Sequence, residues 1–321
     1  MSETLDFEEP IAPLLKELEE LVAQPRTDSA QRQIDALQRR IDAARSAVYA
    51  SLTPWQRVQV ARHPNRPGFE SFIGLMFDGF VEIHGDRRFA DDHAIMSGFA
   101  EYKGRPVLVV GHVKGVDTKE KIFRNFGYAR PEGYRKALRA MRLAEKFSRP
   151  IIVFIDTPAA YPGIESEERG VAEAIAVNLR EMMMLDTAVI VIVSGEGGSG
   201  GALGIAVGDA VIMQEYAIYS VIPPEGCAAI LWRDSNKKVE ASAALKLTAP
   251  DLLKAGIIDH IIPEPIGGAH TDPAAAARLV SGVLDEVLAD TLALGSQARL
   301  DRRYDKFRNM GRVGIDFVDE G

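Results

Sequence analysis

The sequence predicts an α/β fold whose sheet is largely parallel and covered on both faces. Two continuous apolar runs of strand length, Pro150–Ile155 and Ala188–Val193, carry that reading, because each is followed by a turn rich in Gly or Pro and then by a helical pattern. The composition agrees: 46% hydrophobic and 26% charged residues over 321 positions suit a globular chain with a substantial core. No apolar run approaches the roughly 20 residues needed to span a bilayer, so no membrane contact is expected.

The first ten residues are acidic and hold no apolar stretch beside a basic flank, which argues against a signal peptide and for a cytoplasmic chain. Ile11, Leu14, Leu15, Leu18, Leu21 and Val22 then recur at helical spacing, and the pattern breaks at Pro25–Ser29. A second stripe, Ile34, Leu37, Ile41 and Val48, completes a helical hairpin. Thr53-Pro54-Trp55-Gln56 predicts a third helix, with a capping threonine, a proline at the first turn and a glutamine three residues after the cap. The expected organisation is a helical arm over 1–62 and one domain over 63–321, with its core at about 95–265 and a helical C-terminal part at about 270–321.

Residues 95–102 and 107–110 read as a strand pair across a Lys103-Gly104-Arg105 turn. The stretch from 115 to 133 is polar, basic and broken by Gly and Pro, hence a loop; a helix follows over about 132–148. After the first apolar strand come the turn Asp156–Gly163 and one helix over about 165–185. After the second come the loop Gly195–Gly201 and a short helix over 202–207. Strands are also expected near 210–214, 217–222 and 257–262, and from Pro273 a helix and a polar basic tail. Sites in such folds gather at the turns that follow the strands.

The net charge of -8 hides a basic cluster: between Lys114 and Arg149 stand eleven Lys/Arg and only four Asp/Glu. Such a cluster suits a phosphorylated or carboxylated ligand, an acidic partner or nucleic acid, or it is a solvated helix face. Cys227 is the only cysteine, which excludes an internal disulfide and a cysteine-rich metal site on this chain.

Five glycines within Gly195–Gly201 permit positive φ angles and close approach of a ligand to bare backbone. The N–H groups of Gly200 and Gly201, at the mouth of a helix, would then face an oxygen that gains negative charge. Three other readings stay open. Gly195-x-Gly197-x-x-Gly200 with Glu215 matches a dinucleotide fingerprint, though the following helix is short for one. Gly197-x-Ser199-x-Gly201 matches a nucleophile elbow, with six histidines as candidate bases, but Ser199 falls six residues past Val193 and away from the expected strand end. The glycines could also serve close packing alone. No GxxxxGK[ST] loop occurs.

Several long motifs, in order, resemble the acetyl-CoA carboxylase carboxyltransferase alpha-subunit family: Pro131–Leu138, Asp156–Gly163 with Glu167-Glu-Arg-Gly170, Gly195–Leu203, Tyr219–Cys227 and Ile261–His270. The resemblance runs nearly end to end. It implies a crotonase-like spiral of ββα units with an N-terminal helical extension and C-terminal helices. It also implies transfer of a carboxyl group from carboxybiotin to acetyl-CoA, giving malonyl-CoA for fatty acid synthesis. The implied partners are a zinc-bearing beta subunit in an α₂β₂ heterotetramer, the biotin carboxyl carrier protein and biotin carboxylase. Biotin would be covalently bound only on the carrier, and zinc only on the beta subunit. By the same resemblance Gly200 and Gly201 donate to the biotin ureido oxygen, Gly197, Gly198 and Ser199 bind substrate, and Ala160, Tyr161, Pro162 and Gly163 wall the biotin pocket. Ala159 stands where the family has glycine; if that position needs positive φ, the turn carries about 1–2 kcal/mol of strain.

Overall fold

A computed structural model of the chain describes residues 5 to 311 other than 24 and 26, so the first four residues and residues 312 to 321 lie outside the described part. Helices α1 (Ala12–Val22) and α2 (Asp28–Tyr49) form the expected hairpin, with Ile11, Leu37 and Ile41 as its buried seam. Helix α3 (Pro54–Ala61) opens with the reciprocal cap read from the sequence. The Thr53 side chain accepts from the Gln56 N–H at 3.3 Å, and the Gln56 side chain accepts from the Thr53 N–H at 2.8 Å.

Helix α4 (Phe69–Met76) leads into strand β1 (Asp78–Glu82), and the expected pair follows as β2 (Ile95–Tyr102) and β3 (Arg105–His112), joined through Lys103 and Gly104 at positive φ. The segment expected as loop contains a short helix, α5 (Thr118–Phe123), because the Asp117 side chain caps it by accepting from the Glu120 N–H at 2.8 Å. Helix α6 (Pro131–Lys146) precedes β4 (Ile151–Thr157). The single helix expected next is two, α7 (Ile164–Glu168) and α8 (Val171–Met184), divided at Gly170, whose φ is 75°. Then come β5 (Val189–Gly198), α9 (Ser199–Leu203), β6 (Ala210–Gln214), β7 (Ile218–Ser220), α10 (Pro224–Leu231), α11 (Lys238–Leu245), α12 (Ala249–Lys254) and β8 (His260–Ile262). The C-terminal part has two helices, α13 (Pro273–Ala293) and α14 (Ser296–Asn309), where one helix and a tail were expected.

The sheet runs β1-β2-β3-β4-β5-β6-β8; its first three strands are antiparallel and the rest parallel, while β7 leaves this path to pair with the far end of β5. Alternation along the central strands explains the layers. Ile151, Val153 and Ile155 of β4 pack towards α6 and α8, whereas Ile152 and Phe154 pack against Phe72 of α4 and Leu284 of α13. Each such buried side chain is worth about 1.5–3 kcal/mol, which is why these strands carry no polar face.

Part of the basic cluster is spent on the segment between β1 and β2, while Arg142, Lys146 and Arg149 stay exposed. Lys136 is 0% exposed and donates to the Asp91 carboxylate at 2.6 Å and the Asp92 carbonyl at 2.7 Å. Arg135 bonds Asp86 at 2.8 Å and Glu132 at 2.9 Å, and Arg139 donates to the carbonyls of His84 and Gly85. Arg303 of α14, also fully buried, pairs with Asp209 at 2.8 Å and donates to the carbonyls of Met182, Leu185 and Thr187. Among the described residues no helix is long and apolar enough to cross a membrane.

Candidate active site

The glycine stretch departs from the loop expected of it. Strand β5 continues through Gly195, Gly197 and Gly198, because backbone partners hold it on both sides: Thr157 pairs with Gly197 from β4, and Ile218, Tyr219 and Ser220 pair with Glu196, Gly197 and Gly198 from β7. Helix α9 then begins at Ser199. Ser199 therefore stands at the strand-to-helix turn after all, with φ of 50°, a left-handed conformation costly for a residue with a Cβ.

Gly200 and Gly201 occupy the second and third positions of α9, where N–H groups have no acceptor within the helix. Gly201 is held by contact. A Cβ there would sit 2.3 Å from the Ala159 carbonyl carbon and 2.4 Å from the Ala160 nitrogen. Gly198 is tighter still, with its would-be Cβ 1.8 Å from the Pro158 carbonyl oxygen, and at Gly195 it would meet the Asp156 carboxylate at 2.5 Å. Gly200 has room, its nearest neighbour being Ile175 Cδ1 at 3.5 Å. Packing thus accounts for glycine at 195, 198 and 201, but not at 200.

Ser199 and Gly200 open onto a cavity of about 330 Å³, walled by Leu203, Tyr219, Ser220, Val221, Leu245, Leu252 and Ile257. The cavity is mostly apolar, and Leu203, Val221 and Leu253 stand exposed around it or nearby. Sequence reasoning did not single out this wall as functional, although the Tyr219–Cys227 motif lay beside it. Gly197 and Gly198 line a separate crevice of about 10 Å³ with Pro158 and Pro223. Residues 160–163 do not wall the larger cavity. Ala160 forms a backbone bridge with Ala129, and the Tyr161 N–H donates to the Ala129 carbonyl at 2.9 Å. The Arg130 guanidinium lies over the Tyr161 ring at 4.9 Å, Pro162 is exposed, and Gly163 caps α7 against the same ring. Ala159 keeps out of the left-handed region, so the expected strain is absent; Thr157 Oγ1 steadies the turn by donating to the carbonyls of Gly127 at 2.7 Å and Ala159 at 2.9 Å.

Behind the strand a charged chain locks the two turns together. Lys114 Nζ reaches Asp156 at 2.6 Å and Glu196 at 3.5 Å, the Glu196 N–H donates to Asp156 at 2.9 Å, and Arg62 bridges Glu196 at 2.6 Å to Glu225 at 2.8 Å. Burial opposes the Lys114 charge, yet the two carboxylates outweigh it and raise its pKa.

Among the described residues no histidine or carboxylate is hydrogen-bonded to Ser199 Oγ, so the elbow lacks a base. His112 is fully buried, and burial together with Lys114 pushes its pKa down to about 3, leaving it neutral. Cys227 fills a small apolar cluster with Ala228 and Ala241. The dinucleotide reading fails on geometry: α9 has five residues, and the Glu215 backbone carbonyl and side chain are engaged by Arg57 and the Glu264 N–H. Among the described residues no group of three or more His, Cys, Asp or Glu is disposed to hold a metal ion.

Among solved structures, transcarboxylase 12S with methylmalonyl-coenzyme A and methylmalonic acid bound superposes with a TM-score of 0.56 at 20% identity, over 70% of this chain and 42% of that one. A Pseudomonas malonate decarboxylase hetero-tetramer in complex with coenzyme A gives 0.55 at 20% identity, over 67% and 86%. The fold is that of the crotonase-type carboxyltransferases.

Residues 4–311 match the family described as acetyl co-enzyme A carboxylase carboxyltransferase-like. The acetyl-coenzyme A carboxylase carboxyl transferase subunit alpha of Geobacter metallireducens is 53% identical over 310 residues, covering 96% of this chain and 97% of that protein. That of Oceanobacillus iheyensis is 50% identical over 313 residues, covering 97% and 99%. The chain belongs to the acetyl-CoA carboxylase carboxyltransferase alpha-subunit family.

Proposed function

We infer that this chain is the half of a biotin-dependent carboxyltransferase that receives carboxybiotin, and that the carboxyl group passes to acetyl-CoA to give malonyl-CoA. The single observation that carries the reading is the opening turn of α9, where Gly200 lines an apolar cavity with an N–H that has no helical acceptor and Gly201, buried behind it, has the next such N–H. Loss of CO₂ from carboxybiotin leaves the bonding electron pair on the ureido group, and its oxygen becomes anionic. Two aligned amides and the start of a helix stabilise such an oxygen, an effect worth about 10²–10³ in rate for one donor. The ureido anion then takes a proton from the acetyl methyl group, and the resulting enolate forms its new carbon–carbon bond to CO₂. This route asks no side chain of this subunit to act as base, which fits a site where Ser199 has no proton acceptor.

The exposed apolar rim at Leu203 and Val221 supports a cavity completed by another subunit. That partner is a zinc-bearing beta subunit holding the CoA, in an α₂β₂ assembly served by a biotinylated carrier. The test is reconstitution. The isolated chain is expected to transfer carboxyl groups at under about 1% of the rate of the mixture with the beta subunit, a loss of the order a missing oxyanion donor produces; full activity alone overturns the reading.

One observation favours a second reading, a stand-alone acyl-CoA hydrolase: Ser199 sits at positive φ where a strand meets a helix. Ser199→Ala separates the two, since it abolishes a serine hydrolase and spares a backbone site.

A further inference from the structure

On the side of the sheet where α6 and α8 pack together, the molecule carries a cavity of about 400 Å³ that takes no part in the chemistry above. Arginines reach it from three directions. Arg135, Arg139 and Arg142 follow one another at successive turns along one stripe of α6, Arg180 comes from α8, and Arg88 comes from the segment between β1 and β2. Two carboxylates line the cavity against these five guanidiniums, Asp86 and Glu173. The balance is therefore cationic within a concave wall, where low dielectric strengthens the field.

The pairing of these arginines leaves charge to spare. Arg135 is satisfied by Asp86 and Glu132. Arg139 donates only to the neutral carbonyls of His84 and Gly85, so its charge is solvated but not cancelled; burial and the nearby Arg87 make that charge costly and lower its pKa. Arg142 and Arg180 share one carboxylate, Glu181, at 2.6 and 2.7 Å, and keep 54% and 69% of their side chains exposed. Between them, Leu138, Ala174 and Val177 make an apolar floor. Forked guanidiniums around an apolar floor suit a ligand with two phosphates and a flat ring, because arginine both pairs bidentately with phosphate and stacks on ring faces.

We propose that the α6–α8 groove binds a small diphosphate-bearing anion, separate from the carboxyl-transfer site. The groove is also placed to be felt there. Helix α8 links them: Ile175 packs near Gly200, and Asn178 donates to the Gly204 carbonyl at 2.9 Å just past α9, while Val177 and Arg180 line the groove.

Calorimetric titration of the full chain, alone and with its beta subunit, with pyrophosphate and with ADP tests this. Both probes are expected to bind. Tighter binding of ADP assigns the floor to a nucleotide ring, and equal binding assigns the site to free diphosphate. R142Q/R180Q is expected to weaken both at least tenfold with an unchanged melting temperature and an unchanged KM for acetyl-CoA. K146Q/R149Q removes the same charge from exposed positions beyond the groove and is expected to change binding less than twofold. Absence of binding, or equal loss in the two double variants, overturns the proposal, as does a raised KM for acetyl-CoA in R142Q/R180Q, which would make the groove part of the substrate site.

Discussion

The Gly201 Cα rests against the peptide joining Ala159 to Ala160, so closely that a methyl group on it would lie 2.3 Å from the Ala159 carbonyl carbon. Two neighbouring glycines therefore differ in what they permit. Gly201→Ala is expected to cost about 1–3 kcal/mol through overpacking and to lower transfer by about 10² or more. Gly200→Ala, with Ile175 at 3.5 Å, is expected to fold within about 1 kcal/mol of the wild type. Denaturant titration of both variants checks the contrast; equal destabilisation refutes it.

Ser199 is held at φ of 50°. Ser199→Gly is expected to raise stability by up to about 1 kcal/mol, the left-handed strain outweighing the entropy that glycine adds to the unfolded chain. Ser199→Ala is expected to keep transfer in the reconstituted enzyme within about tenfold, because the proposed oxyanion site rests on the amides and not on the hydroxyl. Steady-state rates with the beta subunit decide this.

Arg303 joins α14 to the sheet through Asp209 and three carbonyls. Arg303→Ala strands Asp209 in the interior and is expected to cost about 3–5 kcal/mol. Asp209→Asn added to Arg303→Met is expected to recover part of that loss, since no buried charge then remains. A denaturation cycle over the single and double variants measures the coupling.

Two histidines, the buried His112 and the half-buried His270, shape behaviour in acid. Burial and Lys114 hold His112 at about 3, and burial, with His63 stacked on its ring at 3.8 Å, holds His270 at about 3. Both folded pKa values lie below the ordinary 6.5, so their contribution is complete above pH 6.5 and is lost as pH falls towards 3, at up to about 1.4 kcal/mol per pH unit each. Asp92 opposes them: burial raises its pKa to about 6, so its contribution is complete below 3.8 and is lost as pH rises through 6. Between about pH 4 and 6 the three leave a net loss of about 1.4 kcal/mol per unit of acidification. His270→Gln is expected to flatten the stability–pH slope by about that amount, as read from denaturant midpoints; an unchanged slope removes His270 from the account.

Much of the fold was legible because it is local. The apolar runs at β4 and β5 and the Thr53 cap needed only neighbouring residues, and the motifs carried the fold family. Glycine-rich β5 was misread because propensity marks Gly195–Gly201 as loop, whereas β4 and β7 supply backbone partners from remote positions. For the same reason the ion-pair partners of Arg135, Lys136 and Arg142 were not legible: Asp86, Asp91 and Glu181 come from other segments. Arg303 looked like tail for want of any sign of Asp209, 94 residues away. The α5 cap at Asp117 and the Gly170 break were visible in the letters and were passed over.

Strand β7 alongside Glu196–Gly198 leaves the glycine ribbon clamped from both flanks. A recognition surface built from amides has no side chain for mutation to rewrite. Any reshaping of this cavity would fall to the apolar wall at Tyr219–Val221, Leu245 and Ile257, where ordinary substitutions change shape without disturbing the fixed ribbon.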